Sequence, residues 1–301
     1  MSLPTLTITS PEGETVAEFV PGANLLCCSL RHRGAELLDP GRGVEAYAER
    51  GKTMGIPLLY PWANRLSRDG YEAAGKSVEL PGGEPGSRYP VDPNGLPIHG
   101  AFPGRIVWEA EAEGDRLTAS VTWDEDELLE LFPFRHRLSV RAIVDEQGLQ
   151  ITTTVYADGG DPVPVAFGYH PYLTLPDSSR DGWQVDLGAE QQLVLDDRMI
   201  PTGERVPLTS RDFLLGERSL DDGLAGLATP AQFLVSDGER TLSVSFEAGY
   251  DWAQVYAPPG HDYICFEPMT APADALNSGE GLSVLAPGED YSASFTLAVT
   301  P

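Results

Sequence analysis

Lysine is nearly absent from this chain: Lys52 and Lys76 are the only two in 301 residues. The other basic residues are arginine, and 46 acidic residues against 20 basic ones leave a formal net charge of -26. A surface of that sign repels nucleic acid and anionic lipid over most of its area, so neither is expected as a partner. It is read as a solubility habit rather than an acidic docking surface. Cysteine is sparse too. Cys27, Cys28 and Cys265 are odd in number, and no CxxC or finger spacing accompanies them. Buried thiols in a reducing compartment are expected. No apolar run approaches a membrane span. The opening MSLPTLTITSPEG has neither a basic n-region nor an apolar h-region. No secretory leader is expected, and the cytoplasm is the default location.

Helical periodicity is scarce as well. Residues 125–131 and 272–277 have room for a turn or two. Elsewhere the pattern is that of short strands, at residues 5–8, 17–19, 25–38, 105–110, 117–123, 136–144, 149–156, 183–187, 253–256, 263–267 and 291–299. Hairpin turns are written at Glu113-Gly114-Asp115, Glu146-Gln147-Gly148 and Asp237-Gly238, the last joining 232–236 to 241–247. The 32 glycines and 26 prolines are spread along the chain, as many turns require. These features predict an all-β fold: one large antiparallel β-sandwich with very little helix, a single domain over residues 1–301. Residues 55–66, 94–104 and 196–222 break the rhythm and read as long loops, where binding groups tend to sit.

The five histidines divide by setting. His32 and His136 each stand in RHR within strand patterns and are expected to face solvent, and His261 lies in a turn. His99 in PIHG and His170 in GYHP are hemmed in by residues that restrict the backbone, as a working imidazole must be. Glu267 follows Tyr263-Ile264-Cys265-Phe266 and precedes Pro268. A carboxylate there should end a strand tucked into the core, where burial raises its pKa and strengthens it as a base. Arg65, after Trp62-Ala63-Asn64, offers a fork of fixed donors to hydroxyls. Asp221 or Asp222 can accept from vicinal hydroxyls, with an Asx turn as the plainer account. Trp62, Tyr172 and Trp252 are candidates for a stacking face. His99, His170 and Glu267 would suit a metal by donor type, but HxH, HExxH and DxD spacings are missing, so no metal is expected. GxSxG and phosphate-cradling glycine loops are missing too.

Six segments run in order along the chain: PLLYPWANRL, LPIHGAF, FGYHPYL, IPTGE, SLDDGLAGL and EPMTAPADALNSG. As a set they resemble the aldose 1-epimerase (galactose mutarotase) family. The resemblance implies a galactose mutarotase-like sandwich that interconverts the α and β anomers of a free monosaccharide without a cofactor. It implies that His170 is the general acid and Glu267 the general base, with His99 stabilising charge near the ring oxygen. Arg65 and Asp221 (or Asp222 in an alternative alignment) would bind hydroxyls; Asn64 and Tyr172 are grouped with them as substrate-binding residues. The DDGLAGL context of Asp221 departs from the YDH form of better-known members. Two rival readings stand beside this one. A hexose-6-phosphate 1-epimerase would need a cationic pocket, for which Arg31, Arg33 or Arg68 are candidates. A non-catalytic carbohydrate-binding protein would keep the fold without the reaction. A monomer or a homodimer fits the sequence equally.

Overall fold

The computed structural model describes residues 3–81 and 88–300. Its centre is a nine-stranded antiparallel sheet. The strands run in the order Asp212–Leu214, Gln184–Asp186, Ala231–Ser236, Thr241–Ala248, Asp290–Thr300, Gly148–Tyr156, His136–Val144, Arg116–Trp123 and Glu109–Glu113. Over it lies a second sheet, Pro201–Pro207, Gln191–Leu195, Leu220–Ala225, Trp252–Ala257, Ile264–Met269, Gly168–Tyr169 and Leu58–Leu59, with Tyr172–Leu173 also paired to Ile264–Met269. A four-stranded sheet, Leu6–Thr9 to Ala35–Glu36, and two small two-stranded pairs complete the β structure. Among the described residues, no helix is long and apolar enough to cross a membrane.

The sandwich is held by the period-2 pattern of its strands. In His136–Val144 every second residue, His136, Leu138, Val140, Ala142 and Val144, is buried. Both faces of the second sheet are covered at its Ile264–Met269 strand, which is buried at all six positions. Its two faces still do different work. Ile264 and Phe266 join the main core, where the Phe266 ring lies 5.7 Å from Phe233 of the large sheet. Cys265, Glu267 and Met269 face the other way. The neighbouring Trp252–Ala257 strand splits likewise: Ala253, Val255 and Ala257 enter the main core, while Trp252 and Met269 share a separate cluster.

Most expected strands are present, including 136–144 with the same ends and all three hairpins. The two short helical pieces fall at Asp126–Leu129 and Ala275–Ser278. Several expectations are corrected. Helix Val44–Arg50 lies outside the expected helical pieces, because one buried face of Ala46 and Tyr47 is too little to register as periodicity. Residues 196–222 are not one long loop: they contain Pro201–Pro207, Asp212–Leu214 and the start of Leu220–Ala225. Residues 105–108 precede the Glu109–Glu113 strand rather than belonging to it. His136 does not face solvent. It is 1% exposed, stacked on Trp123, with Nε2 2.5 Å from the Tyr60 hydroxyl and Nδ1 2.6 Å from the Phe134 carbonyl oxygen. Trp62 and Trp252 are packing residues in two apolar clusters, not a stacking face for a ligand. Cys27 and Cys265 are buried and Cys28 is half-buried, all three as free thiols.

Candidate active site

A cavity of about 490 Å³ opens on the outer face of the second sheet. That is within the range of small-molecule sites. His170, Glu267, His99, Arg65, Asn64, Asp221 and Tyr172 all line it. Residues separated by up to 203 positions in sequence thus share one wall.

Strand register places the carboxylates. Glu267 pairs with Gln254 across the Ile264–Met269 and Trp252–Ala257 strands, and Asp221 pairs with Tyr256 one strand further on. Side chains two apart share a face, so Asp221, Gln254 and Glu267 point into the cavity together. Gln254 Nε2 donates to Asp221 Oδ1 at 2.6 Å. Asp222, one residue on, takes the opposite face and accepts from Gln192 at 2.7 Å. The geometry therefore selects Asp221 over Asp222 as the cavity residue.

Loops place the histidines and the arginine. His170 follows the two-residue strand Gly168–Tyr169, with its N–H donating to the Pro57 carbonyl at 3.2 Å. Tyr172 stacks flat on its ring, 4.5 Å between centroids and 6° between planes. The Tyr172 hydroxyl lies 2.6 Å from Thr53 Oγ1 and 3.5 Å from His170 Nε2. Asn64 (φ 56) and His99 (φ 62) both sit in the left-handed region, an uncommon conformation for side-chain-bearing residues. They support each other, because the His99 N–H donates to the Asn64 carbonyl at 2.9 Å. Gly100 completes the crossing of the two loops. A Cβ there, at φ 74, would sit 2.0 Å from the Tyr60 carbonyl oxygen. Arg65 is held at three points: Nε on Asp92 at 2.9 Å, Nη1 on Asn64 at 3.0 Å, and Nη2 on Asp221 at 3.4 Å. The EPMTAPADALNSG segment earns its place through Asp274, whose N–H donates to the Arg65 carbonyl while Oδ1 accepts from the Ser67 N–H, both at 2.8 Å.

The centre of the site is a buried pair. His170 Nε2 lies 3.2 Å from Glu267 Oε1, and the side chains are 6% and 2% exposed. His99 meets His170 edge-on with centroids 5.5 Å apart. Glu267 Oε2, His170 Nδ1 and His99 Nδ1 have no hydrogen-bond partner among the described residues. Desolvation drives all three groups toward their neutral forms. It pushes His170 down to about 3, with the Arg65 charge adding to the effect. His99 is held well below the usual imidazole range by burial, then by His170 and Arg65. Glu267 is pushed well above the usual carboxylate range by burial and by Asp221, with Arg65 opposing. One proton shared between Nε2 and Oε1 satisfies the pair in either of two forms, both neutral or both charged.

Several lining residues carried no signal of their own. Asp92 reads as a turn residue in VDPNG, and it is one: Oδ1 accepts from the Asn94 and Leu96 N–H groups. Its other oxygen anchors Arg65, which no local pattern reveals. Gln254 and Tyr256 alternate with apolar residues in WAQVYA, a period-2 clue that places them on the cavity face. The arginines expected for a phosphate pocket are elsewhere. Arg31 and Arg33 pair with Glu18 and Glu14, and Arg68 donates to Asn277. None of the three lines the cavity, whereas Arg50 and Lys52 do.

Comparison with known proteins places the chain. The family profile described as aldose 1-epimerase matches residues 4–298. The uncharacterized protein YihR of Escherichia coli is 26% identical over 303 residues, covering 97% of this chain and 92% of YihR. Among solved structures, a galactose mutarotase-like protein of Clostridium acetobutylicum superposes with a TM-score of 0.82 at 19% identity, over 96% of this chain and 93% of that one. The Slr1438 protein of Synechocystis sp. PCC 6803 gives 0.78 at 24% identity over 100% and 96%. The galactose 1-epimerase of Lactobacillus acidophilus gives 0.75 at 15% identity over 99% of each. With its galactose mutarotase-like fold and a profile match over nearly its whole length, the chain belongs to the aldose 1-epimerase family.

Proposed function

We propose that the protein is a mutarotase, interconverting the α and β anomers of an aldohexose with His170 and Glu267 as the acid/base pair. The observation that carries this reading is the 3.2 Å contact between His170 Nε2 and Glu267 Oε1 on the wall of a sugar-sized cavity. Mutarotation needs a proton removed from one oxygen and delivered to another a bond or two away. A pair that already shares one proton can do both without a cofactor.

In the charged form, Glu267 takes the proton of the C1 hydroxyl while the His170 imidazolium gives its proton to the ring oxygen O5. The C1–O5 bond breaks, leaving the open-chain aldehyde with a free C5 hydroxyl. Glu267 is now protonated and His170 neutral, which is the other form of the same pair. Rotation about C1–C2 turns the second face of the carbonyl toward O5. His170 then takes back the C5 hydroxyl proton as O5 attacks C1, and Glu267 returns its proton to the carbonyl oxygen. The pair ends as it began. His99, kept neutral, is placed to hydrogen-bond near O5, and Arg65, Asn64 and Asp221 to hold ring hydroxyls. Tyr172 locks the imidazole plane by stacking.

Polarimetry of freshly dissolved α-D-glucose and α-D-galactose tests the proposal, with Glu267→Gln and His170→Asn beside the wild type. Each variant is expected to lose about 100-fold or more in rate. The pH–rate profile should be bell-shaped, because activity needs one shared proton rather than none or two. Rates no faster than buffer on every aldose tried would end the catalytic reading.

A further inference from the structure

Thr53 stands between two fixed points. Helix Val44–Arg50 ends at Gly51, which is left-handed at φ 62, and Met54 shares a buried cluster with Tyr47 of that helix. From this position Thr53 Oγ1 meets the Tyr172 hydroxyl at 2.6 Å, its one hydrogen bond among the described residues. The two segments are also tied through the backbone. The Tyr172 N–H donates to the Gly55 carbonyl at 2.8 Å, and the Asp39 N–H donates to the Tyr172 carbonyl at 2.9 Å. The Tyr172 ring therefore keeps its place without the Thr53 hydroxyl. What that hydroxyl adds is an orientation of the phenol O–H bond.

The phenol oxygen is 3.5 Å from His170 Nε2, yet the two rings are parallel to within 6°. At that distance over a parallel ring it sits above the face of the imidazole, not in its plane. The in-plane position of Nε2 is taken by Glu267 Oε1 at 3.2 Å. Tyr172 thus presents a dipole to a nitrogen whose charge changes during the reaction. Burial holds the phenol well above its usual pKa, so it stays neutral. A phenol is a better donor than an alcohol, so Tyr172 gives its hydrogen to Thr53 and leaves its lone pairs over Nε2. Without that acceptor the O–H bond is free to turn its positive end over the imidazole. We infer that Thr53 is a positioning residue of the reaction, which aims the Tyr172 oxygen at His170 and so supports the imidazolium form of the acid/base pair. Its effect on turnover rests on the mutarotase reading; its effect on protonation does not. The other groups facing His170 are Glu267, His99 at 5.5 Å and Tyr256 at 5.8 Å, with the Arg65 charge acting on the ring and Asp221 acting on Glu267. Tyr172 is faced by Tyr263 at 5.1 Å and by Cys265, its register partner. Thr53 is hydrogen-bonded to none of these.

The pair is active with one shared proton. Every form with two protons contains the imidazolium, and the form with none lacks it. Weakening the imidazolium therefore moves the limbs of the pH–rate profile to lower pH, and their displacements add up to the interaction lost. Thr53→Val keeps the shape of the side chain and removes the hydroxyl. Polarimetry from about pH 4 to 10 should show the two apparent pKa values lowered by about 0.5–1 unit in sum, the worth of one neutral hydrogen-bond dipole. A less stable imidazolium is also a readier proton donor, so the rate at the optimum should change by less than about threefold. Thr53→Ser should restore the profile. In Tyr172→Phe, where no hydroxyl is left to aim, adding Thr53→Val should move nothing further. Limbs that stay in place or rise, no rescue by serine, or a full displacement in the Tyr172→Phe background overturns the inference. Nitrogen-15 shifts of the His170 ring, assigned by their loss in His170→Asn, follow the same titration with no sugar present. Mutarotation with a His170 titration indifferent to Thr53→Val sinks this inference alone. A titration that moves to lower pH in Thr53→Val, with no aldose turned over, sinks the catalytic reading and leaves the role of Thr53 in protonation standing.

Discussion

Replacing Glu267 by glutamine is expected to stabilise the fold while abolishing turnover. The carboxyl is 1% exposed, its Oε2 has no partner among the described residues, and burial pushes its pKa well above 4.5. The folded state therefore holds a proton that the unfolded state releases. Below pH 4.5 both states are protonated and the site carries no penalty. Above it, stability falls by about 1.4 kcal/mol per pH unit until the carboxyl ionises in the fold. Between pH 4.5 and 7 the loss is bounded at about 3.5 kcal/mol. His170 at 3.2 Å tempers it by offering the charged form of the pair. Glutamine has nearly the same shape and does not titrate, so it recovers about 1–3 kcal/mol at pH 7. For a chain of this length that is a rise of roughly 2–5 °C in Tm. Scanning calorimetry at pH 4.5, 5.5 and 7 checks it, with polarimetry on the same samples. The gap between variant and wild type should close as pH falls to 4.5. A variant that melts lower than wild type at pH 7, or a gap that ignores pH, would show the carboxylate to be a structural anchor and refute the reasoning.

Three other substitutions follow from the same geometry. Asp92→Ala frees one side of Arg65, whose side chain is 12% exposed, and should cost about 2–4 kcal/mol in urea unfolding. Steady-state kinetics should show KM raised more than kcat is lowered, since Arg65 is proposed to bind rather than react. Gly100→Ala puts a Cβ against the Tyr60 carbonyl at positive φ, so a loss of at least about 2 kcal/mol is expected by thermal melt. His136 is driven from 6.5 to about 4 by desolvation, so its unfolded form binds a proton first. Its stability contribution is whole above pH 6.5 and is lost as pH falls toward 4, by up to about 3 kcal/mol. Urea unfolding at pH 7, 5.5 and 4 should show this slope, reduced by about one proton in His136→Asn.

His136 also shows how local context misleads. Flanking arginines suggest solvent, yet two-residue alternation puts it in line with Leu138, Val140, Ala142 and Val144. The strand period outranks the polarity of the neighbours, because the whole strand must turn one face to the core. The same rule separates Asp221 from Asp222. That choice was not readable from DDG alone, since it needs the pairing of Leu220–Ala225 with Trp252–Ala257. Asp92 was legible as a turn former, and its second oxygen became a site anchor only when residues 55–66 and 94–104 crossed.

Strand content, turns, the absence of long helices and the candidate set of His99, His170, Glu267 and Arg65 all lie in short stretches of chain, where propensity and period act between near neighbours. The meeting of His170 with Glu267 and the shift of their protonation by burial do not. They arise from contacts between segments far apart in sequence, and desolvation is a property of what surrounds a group in space. No window along the polypeptide contains it.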